Sequence, residues 1–199
     1  MFTATPGVTF VFSSGDNGSQ EYPAESPNVV SVGGTTLSHD ASYNWTGETG
    51  WSGSGGGLSS TEASPSYQSG LGYSKRAAPD LAYDADPNTG FAVYDSLSYL
   101  RQSGWLQFGG TSAGAPQISA LIALADQGRG SKGSLDGPTQ TLPTIYAATT
   151  TSGTTGTETF YDVTTGSNAV ASAGPGYDLV TGRGTPRKAS LLYLALVNA

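Results

Sequence analysis

Gly109-Gly110-Thr111-Ser112-Ala113-Gly114-Ala115-Pro116 is the stretch whose reading organises this chain. Before it, Trp105-Leu106-Gln107-Phe108 reads as the end of a short strand. After it, Ile118, Leu121, Ile122 and Ala125 recur at helical spacing until Gly128 supplies a stop. Ser112 therefore falls at a helix N-terminus. Unpaired backbone N–H groups and the positive end of the helix dipole favour negative charge there, and an acyl-transfer transition state develops such charge on its carbonyl oxygen. An arbitrary serine in this position is only a helix cap, so the surrounding chain has to decide whether Ser112 is a nucleophile.

Working outward, Val8 to Ser13 is a compact β-rich run without alternation, the pattern of a strand buried on both faces of a parallel sheet. Asp16 lies just past its C-terminal end, where open α/β sheets place functional groups. Val29 to Val32 predicts the next strand, closed by Gly33-Gly34, and Pro79 to Tyr83 and Phe91 to Tyr94 predict two more. Ser38 to Ser69 is rich in Gly, Ser, Thr and Trp, has no period, and reads as surface loop and cleft wall. Thr149 to Thr159 reads as an exposed loop. In the last segment Thr185 caps a closing helix, Pro186 suits its first position, and Leu191, Leu194 and Ala195 make the stripe that packs. Met1 to Gly7 reads as the tail of a helix rather than a signal peptide.

Composition bounds the rest. A chain of 199 residues is read as a single domain with room for a sizeable core. Its 29 glycines and 11 prolines, with only 12% charged residues, describe a loop-rich globular protein, and 36% apolar residues is too many for disorder. A net charge of −7 repels nucleic acid and anionic membranes. No apolar run is long enough to span a bilayer. Zero cysteines exclude disulfides, thiolate catalysis and Cys-ligated zinc.

Gly-Thr-Ser-Ala-x-x-Pro resembles the nucleophile motif of the subtilisin-like clan, and other motifs choose the branch. Phe12-Ser13-Ser14-Gly15-Asp16-Asn17-Gly18, then Tyr22-Pro23-Ala24-Glu25-Ser26-Pro27 and Val32-Gly33-Gly34-Thr35, resemble the sedolisin family of serine-carboxyl peptidases. Subtilisins proper carry Asn where this chain has Asp16. Further matches follow in family order: Gly55-Gly56-Gly57-Leu58-Ser59, Arg76-Ala77-Ala78-Pro79-Asp80, Ala85-Asp86-Pro87-Asn88-Thr89-Gly90, and Gly174-Pro175-Gly176-Tyr177-Asp178 with Thr181-Gly182. The resemblance implies an α/β fold, a subtilisin-like parallel sheet flanked by helices, with residues 1–199 as the C-terminal portion of the catalytic domain and the N-terminal strands lacking. It implies peptide-bond hydrolysis at acidic pH, peptide or protein substrates, and an extracellular or other acidic location.

By motif match Ser112 is the nucleophile and Asp16 the oxyanion-hole residue; a carboxyl group donates a hydrogen bond only when protonated, which suits acid conditions. The family's proton-accepting Glu and its Asp partner lie well N-terminal to the oxyanion Asp, and no acidic residue precedes Asp16 here. Glu158 and Asp162 have helical spacing but fall after the nucleophile, in a different motif. His39, the sole histidine, reads as a surface residue on a turn. The chain thus lacks its own general base, which leaves three readings: a peptidase portion completed elsewhere or by self-association, a noncatalytic calcium-stabilised remnant or peptide-binding module, and a hydrolase using His39. The resemblance also implies one structural calcium ion, held by the side chains of Asp162 and Asp178 and the carbonyls of Val163, Gly174 and Gly176, an all-oxygen set. Asn17-Gly18-Ser19 and Asn44-Trp45-Thr46 fit the glycosylation pattern.

Overall fold

A computed structural model describes residues 2–3, 7–99, 101–151 and 157–199. The strands in chain order are β1 (Phe10–Ser13), β2 (Val29–His39), β3 (Trp45–Gly50), β4 (Gly57–Ala63), β5 (Lys75–Ala78), β6 (Leu81–Asp84), β7 (Phe91–Tyr99) and β8 (Gln102–Phe108). Helices α1 (Thr111–Gly128) and α2 (Leu142–Ala147) follow, then the short strands β9 (Thr150–Thr151), β10 (Phe160–Tyr161) and β11 (Thr185–Pro186), and helix α3 (Ala189–Asn198).

The main sheet is built around β2. Its first half pairs in parallel with β1, Phe10 opposite Val29 through Ser13 opposite Val32. Its middle pairs in parallel with β6, Val32 opposite Leu81 through Thr35 opposite Asp84. Its last residues turn into an antiparallel pair with β3. Val29, Val30 and Val32 are fully buried, as β-branched residues between two covered faces should be. Helix α1 packs Ala115, Ile118, Ile122 and Ala125 onto Val30, Val32 and Leu81, and α3 adds Leu192 and Leu196 to the same core. Gly114 permits that approach: a Cβ there would lie 2.8 Å from the Tyr83 Cβ. The parallel β1-β2-β6 arrangement with α1 against it is the α/β architecture that the sequence predicts.

Several boundaries differ. Gly33-Gly34 does not close β2; the strand runs on to His39. The glycines are there because the neighbours leave no space, a Cβ on Gly33 meeting Pro79 Cγ at 2.6 Å and one on Gly34 meeting Ala85 Cβ at 2.7 Å. Ser38 to Ser69 is not loop alone: it holds β3 and β4, each paired antiparallel with the strand next to it in chain order, β3 with β2 and β4 with β5. Phe91 to Tyr94 lengthens into a hairpin, β7 with β8. The closing helix does not start at Thr185-Pro186, which pair antiparallel with Phe160–Tyr161. It starts at Ala189, and its buried face is Leu192 and Leu196, whereas Leu194 is exposed. The β1 residues are half-buried rather than fully buried, since β1 pairs with β2 only and its other edge is open among the described residues. Residues 1 and 4–6 of the expected helical tail and residues 152–156 of the expected loop at 149–159 lie outside the described residues, and Thr150–Thr151 in that stretch form β9.

Candidate active site

Asp16 and Ser112 are 96 residues apart in sequence, and the fold brings them to one place. The chain leaves β1 at Ser13, where the Ser14 N–H continues the ladder to the Val32 carbonyl at 2.9 Å, and the next turn carries Asp16. From the other side, β8 ends at Phe108 and α1 begins at Thr111, so Gly109-Gly110 delivers the helix N-terminus to the C-terminal end of the sheet. The Gly110 N–H donates to the Ala85 carbonyl at 2.6 Å, just past β6, and locks the turn.

Thr111 joins the two halves. Asp16 Oδ1 accepts the Thr111 backbone N–H at 2.7 Å and the Thr111 hydroxyl at 2.7 Å. This is a cap on a helix N-terminus, supplied by a residue far away in sequence. Gly110 makes room for it. Its φ of 100° is open to glycine but strained for other residues, and a Cβ would sit 2.7 Å from Asp16 Oδ2. Oδ1 is committed to Thr111, whereas Oδ2 makes no hydrogen bond among the described residues. Gly55 clamps the turn from outside, its N–H bonded to the Gly15 carbonyl at 2.9 Å; a Cβ on Gly55 would stand 2.2 Å from the Ser14 carbonyl oxygen.

Ser112, the second residue of α1, is exposed, and its hydroxyl makes no hydrogen bond among the described residues. Pro116 has no N–H, so the Ser112 carbonyl has no donor at the position where a helix would supply one. His39 is exposed at the end of β2, with Nδ1 2.9 Å from the Asp40 carbonyl, and takes no part in this arrangement. Glu158 and Asp162 flank β10 and share no helix.

A second cluster gathers the residues matched to the calcium motif. Asp162 Oδ2 accepts the Gly176 N–H at 2.9 Å, and Asp178 Oδ2 accepts the Gly174 N–H at 3.2 Å. Asp178 Oδ1 takes the N–H groups of Val180 and Thr181, each at 2.8 Å. Burial raises the pKa of Asp178. Asp162 Oδ1 is buried with no partner, a state that disfavours a carboxylate unless something positive meets it. Among the described residues no group of three or more His, Cys, Asp or Glu side chains could hold a metal. The motif match names two carboxylates, Asp162 and Asp178, with the carbonyls of Val163, Gly174 and Gly176.

The roles of Thr111 as tether and of Gly110 as clearance were not visible from the sequence motif alone. A threonine between a glycine and the candidate nucleophile was the available signal. The Arg76-Ala77-Ala78-Pro79-Asp80 motif likewise conceals a buried ion pair, Arg76 Nη2 to Asp80 Oδ2 at 2.7 Å.

The profile of the subtilase family matches residues 2–174. The chain is 34% identical to kumamolisin of Bacillus sp. (strain MN-32) over 98% of its own length and 38% of the relative's. It is 33% identical to sedolisin of Pseudomonas sp. (strain 101) over 92% of its length and 34% of that protein's, and so spans little more than a third of either. The structure of Pseudomonas sedolisin, a serine-carboxyl proteinase complexed with two molecules of pseudo-iodotyrostatin, superimposes with a TM-score of 0.75 at 30% identity, covering 94% of this chain and 55% of that one. Sphericase superimposes at 0.52 with 19% identity and supports the fold only. With a subtilisin-like sheet, a serine at the head of its central helix, an aspartate where subtilisins carry asparagine, and these matches, the chain belongs to the subtilase family, on its sedolisin branch.

Proposed function

We propose that residues 1–199 are the nucleophile-bearing portion of an acid-acting serine-carboxyl peptidase. The observation that carries this reading is the junction of Asp16, Gly110 and Thr111, which holds a carboxyl group beside Ser112 with one oxygen free. In this reading Ser112 Oγ attacks the scissile carbonyl of a peptide. The developing oxyanion takes a hydrogen bond from protonated Asp16 Oδ2, aided by the α1 N-terminus. The proton leaving Ser112 goes to a carboxylate supplied from outside these residues. A carboxyl group donates only when it carries its proton, which fits a secreted or otherwise acidic setting. No helix among the described residues is long and apolar enough to cross a membrane.

The competing reading is a noncatalytic peptide-binding remnant, favoured by the lack of a base beside Ser112. A fluorophosphonate probe separates the two, since it reports an activated serine directly. Covalent labelling that disappears in Ser112→Ala supports the peptidase reading once the base-bearing partner is present; no labelling in that mixture supports the remnant.

Asp162, Asp178 and the carbonyls of Val163, Gly174 and Gly176 would hold a calcium ion, the ion meeting the Asp162 oxygen that has no protein partner. Its contribution is structural, tying the β10 end to the 174–178 turn. Calcium at about a hundred times its dissociation constant should stabilise the fold by about 2.7 kcal/mol. For a chain of this length that is a rise in Tm of about 5–10 °C. Asp162→Ala and Asp178→Ala should each abolish the rise. Identical calorimetric transitions with calcium and with chelator would make the cluster a turn and nothing more.

A further inference from the structure

A cavity of about 300 Å³ opens between β2, β3, β6, β7 and the β10–β11 pair, lined neither by Asp16 nor by Ser112. Its size is at the lower end of the range for small-molecule sites. Trp45, Tyr83, Phe91 and Tyr161 give it aromatic walls, and three charged side chains share it: Glu48, Asp84 and Arg187.

Glu48 is fully engaged. Its Oε2 accepts from the Thr35 hydroxyl at 2.8 Å, and Oε1 from the Thr185 hydroxyl at 3.0 Å and the Trp45 indole at 3.2 Å. Asp84 is less so, accepting the Thr89 hydroxyl at 2.9 Å. Burial, with repulsion from Glu48 and Asp86, pushes the Asp84 carboxyl up to about 6, and burial also raises Glu48. Arg187 is held over the Tyr161 ring at 5.6 Å. Its Nη1 is buried and has no hydrogen-bond partner.

Opposite charges lining one cavity ordinarily close on each other. Here they do not: among the described residues the only ion pair is Arg76 with Asp80. The stacking of Arg187 on Tyr161 and the three bonds to Glu48 hold the two signs apart. The cavity is therefore lined by a cation and by carboxylates that are not paired with it, with rings between. Arg187 lines one side of the cavity and Asp84 and Glu48 line it as well, so a ligand bearing both charges on an apolar body would meet a partner for each.

We propose that this cavity binds a free α-amino acid with an aromatic or large apolar side chain, its carboxylate on Arg187, its ammonium on Asp84 and its side chain among the rings. This site goes beyond the hydrolytic reading and does not depend on it. The charged and titratable groups that share the cavity with Asp84 are Glu48 from β3, Tyr83 beside it on β6, Tyr161 from β10 and Arg187 after β11, and Asp86 adds its repulsion from just beyond. Asp84 is ionised above about 6, so ammonium binding is strong at neutral pH and fades as acid neutralises the carboxylates.

Isothermal titration of the unmodified chain with three probes tests the idea: L-phenylalanine, phenethylamine, which lacks the carboxylate, and 3-phenylpropionate, which lacks the ammonium. L-Phenylalanine should saturate at millimolar concentration or below, with each analogue at least tenfold weaker. Arg187→Gln should weaken L-phenylalanine about tenfold and leave phenethylamine unchanged; Asp84→Asn should weaken L-phenylalanine and leave 3-phenylpropionate unchanged. Moving the unmodified chain from pH 7.5 to 4.5 should weaken L-phenylalanine. Ser112→Ala should bind as the parent does, which separates this site from the hydrolytic one. No saturable heat up to about 10 mM, a range that still detects weak complexes, overturns the proposal. So does equal affinity for all three probes, or loss of binding in Ser112→Ala.

Discussion

Residues 1–199 alone should hydrolyse peptides at pH 4 about 10⁴-fold or more below the rate of an intact serine peptidase, because removal of the base and its partner has that effect in such enzymes. The physical reason is local. Ser112 is exposed at the head of α1 with no hydrogen-bonded carboxylate or imidazole among the described residues. A hydroxyl with its proton in place is a weak nucleophile. The helix N-terminus and Asp16 remain, so a residual rate above that of water should survive. Mixing the chain with the base-bearing N-terminal half of a sedolisin relative should restore turnover. The open edge of β1 offers the docking point, for an unpaired strand edge recruits another strand. Timed cleavage of a chromogenic peptide by the pure chain, by the mixture and by each with Ser112→Ala is the measurement. Enzyme-like turnover by the pure chain, abolished in Ser112→Ala, would place a base within these residues and sink the completed-in-trans reading.

How far the molecule could be read from its sequence depended on whether the signal was local. The glycine turn, the helical period from Ile118 to Ala125 and the strand before Asp16 are contiguous patterns, and the structure has α1 and β1 there. Ser38 to Ser69 was opaque for the opposite reason. Its strands Trp45–Gly50 and Gly57–Ala63 are rich in Gly, Ser and Thr and largely exposed, so neither alternation nor an apolar run marks them. They exist because β2 and β5 supply ladder partners. Thr185-Pro186 carries a good helix-start signature, yet pairing with Phe160–Tyr161 overrides it, and a proline is tolerated on such a short pair. In the site, Ser112 and Asp16 were legible as candidates by motif, whereas the Thr111 tether needed the fold. Glu48, Asp84 and Arg187 are spread over 140 residues, and no spacing rule could have joined them.

The largest effect on stability should come from Asp80→Ala, a loss of about 3–5 kcal/mol. Arg76 and Asp80 are both 0% exposed, and the Arg76 Nη2 to Asp80 Oδ2 distance is 2.7 Å. Burial works against the Arg76 charge, but the Asp80 carboxylate outweighs it and raises the guanidinium further above its ordinary value. Asp80 is also the acceptor for the Ser31 N–H at 2.7 Å and the Tyr146 hydroxyl at 2.7 Å. It thus ties the cation to β2 and to α2. Arg76 donates in addition to the Ala77 carbonyl and, at 3.4 Å, to the Val29 carbonyl, with its guanidinium 5.9 Å from the Tyr67 ring centroid. Removing the carboxylate strands a buried cation, a backbone donor of the central strand and a buried phenol together. For a chain of 199 residues the fall in Tm should be about 6–20 °C. Removing both charges should hurt less, since Arg76→Met with Asp80→Leu leaves no uncompensated ion, and apolar replacements of buried pairs are often near neutral. Arg76→Met, Asp80→Leu and the double variant, compared by calcium-saturated denaturant unfolding, form a cycle whose coupling term measures the pair. A loss below about 1 kcal/mol for Asp80→Ala, or a double variant no better than the sum of the singles, would mean that water reaches Arg76 and that the pair does not hold β2 to α2.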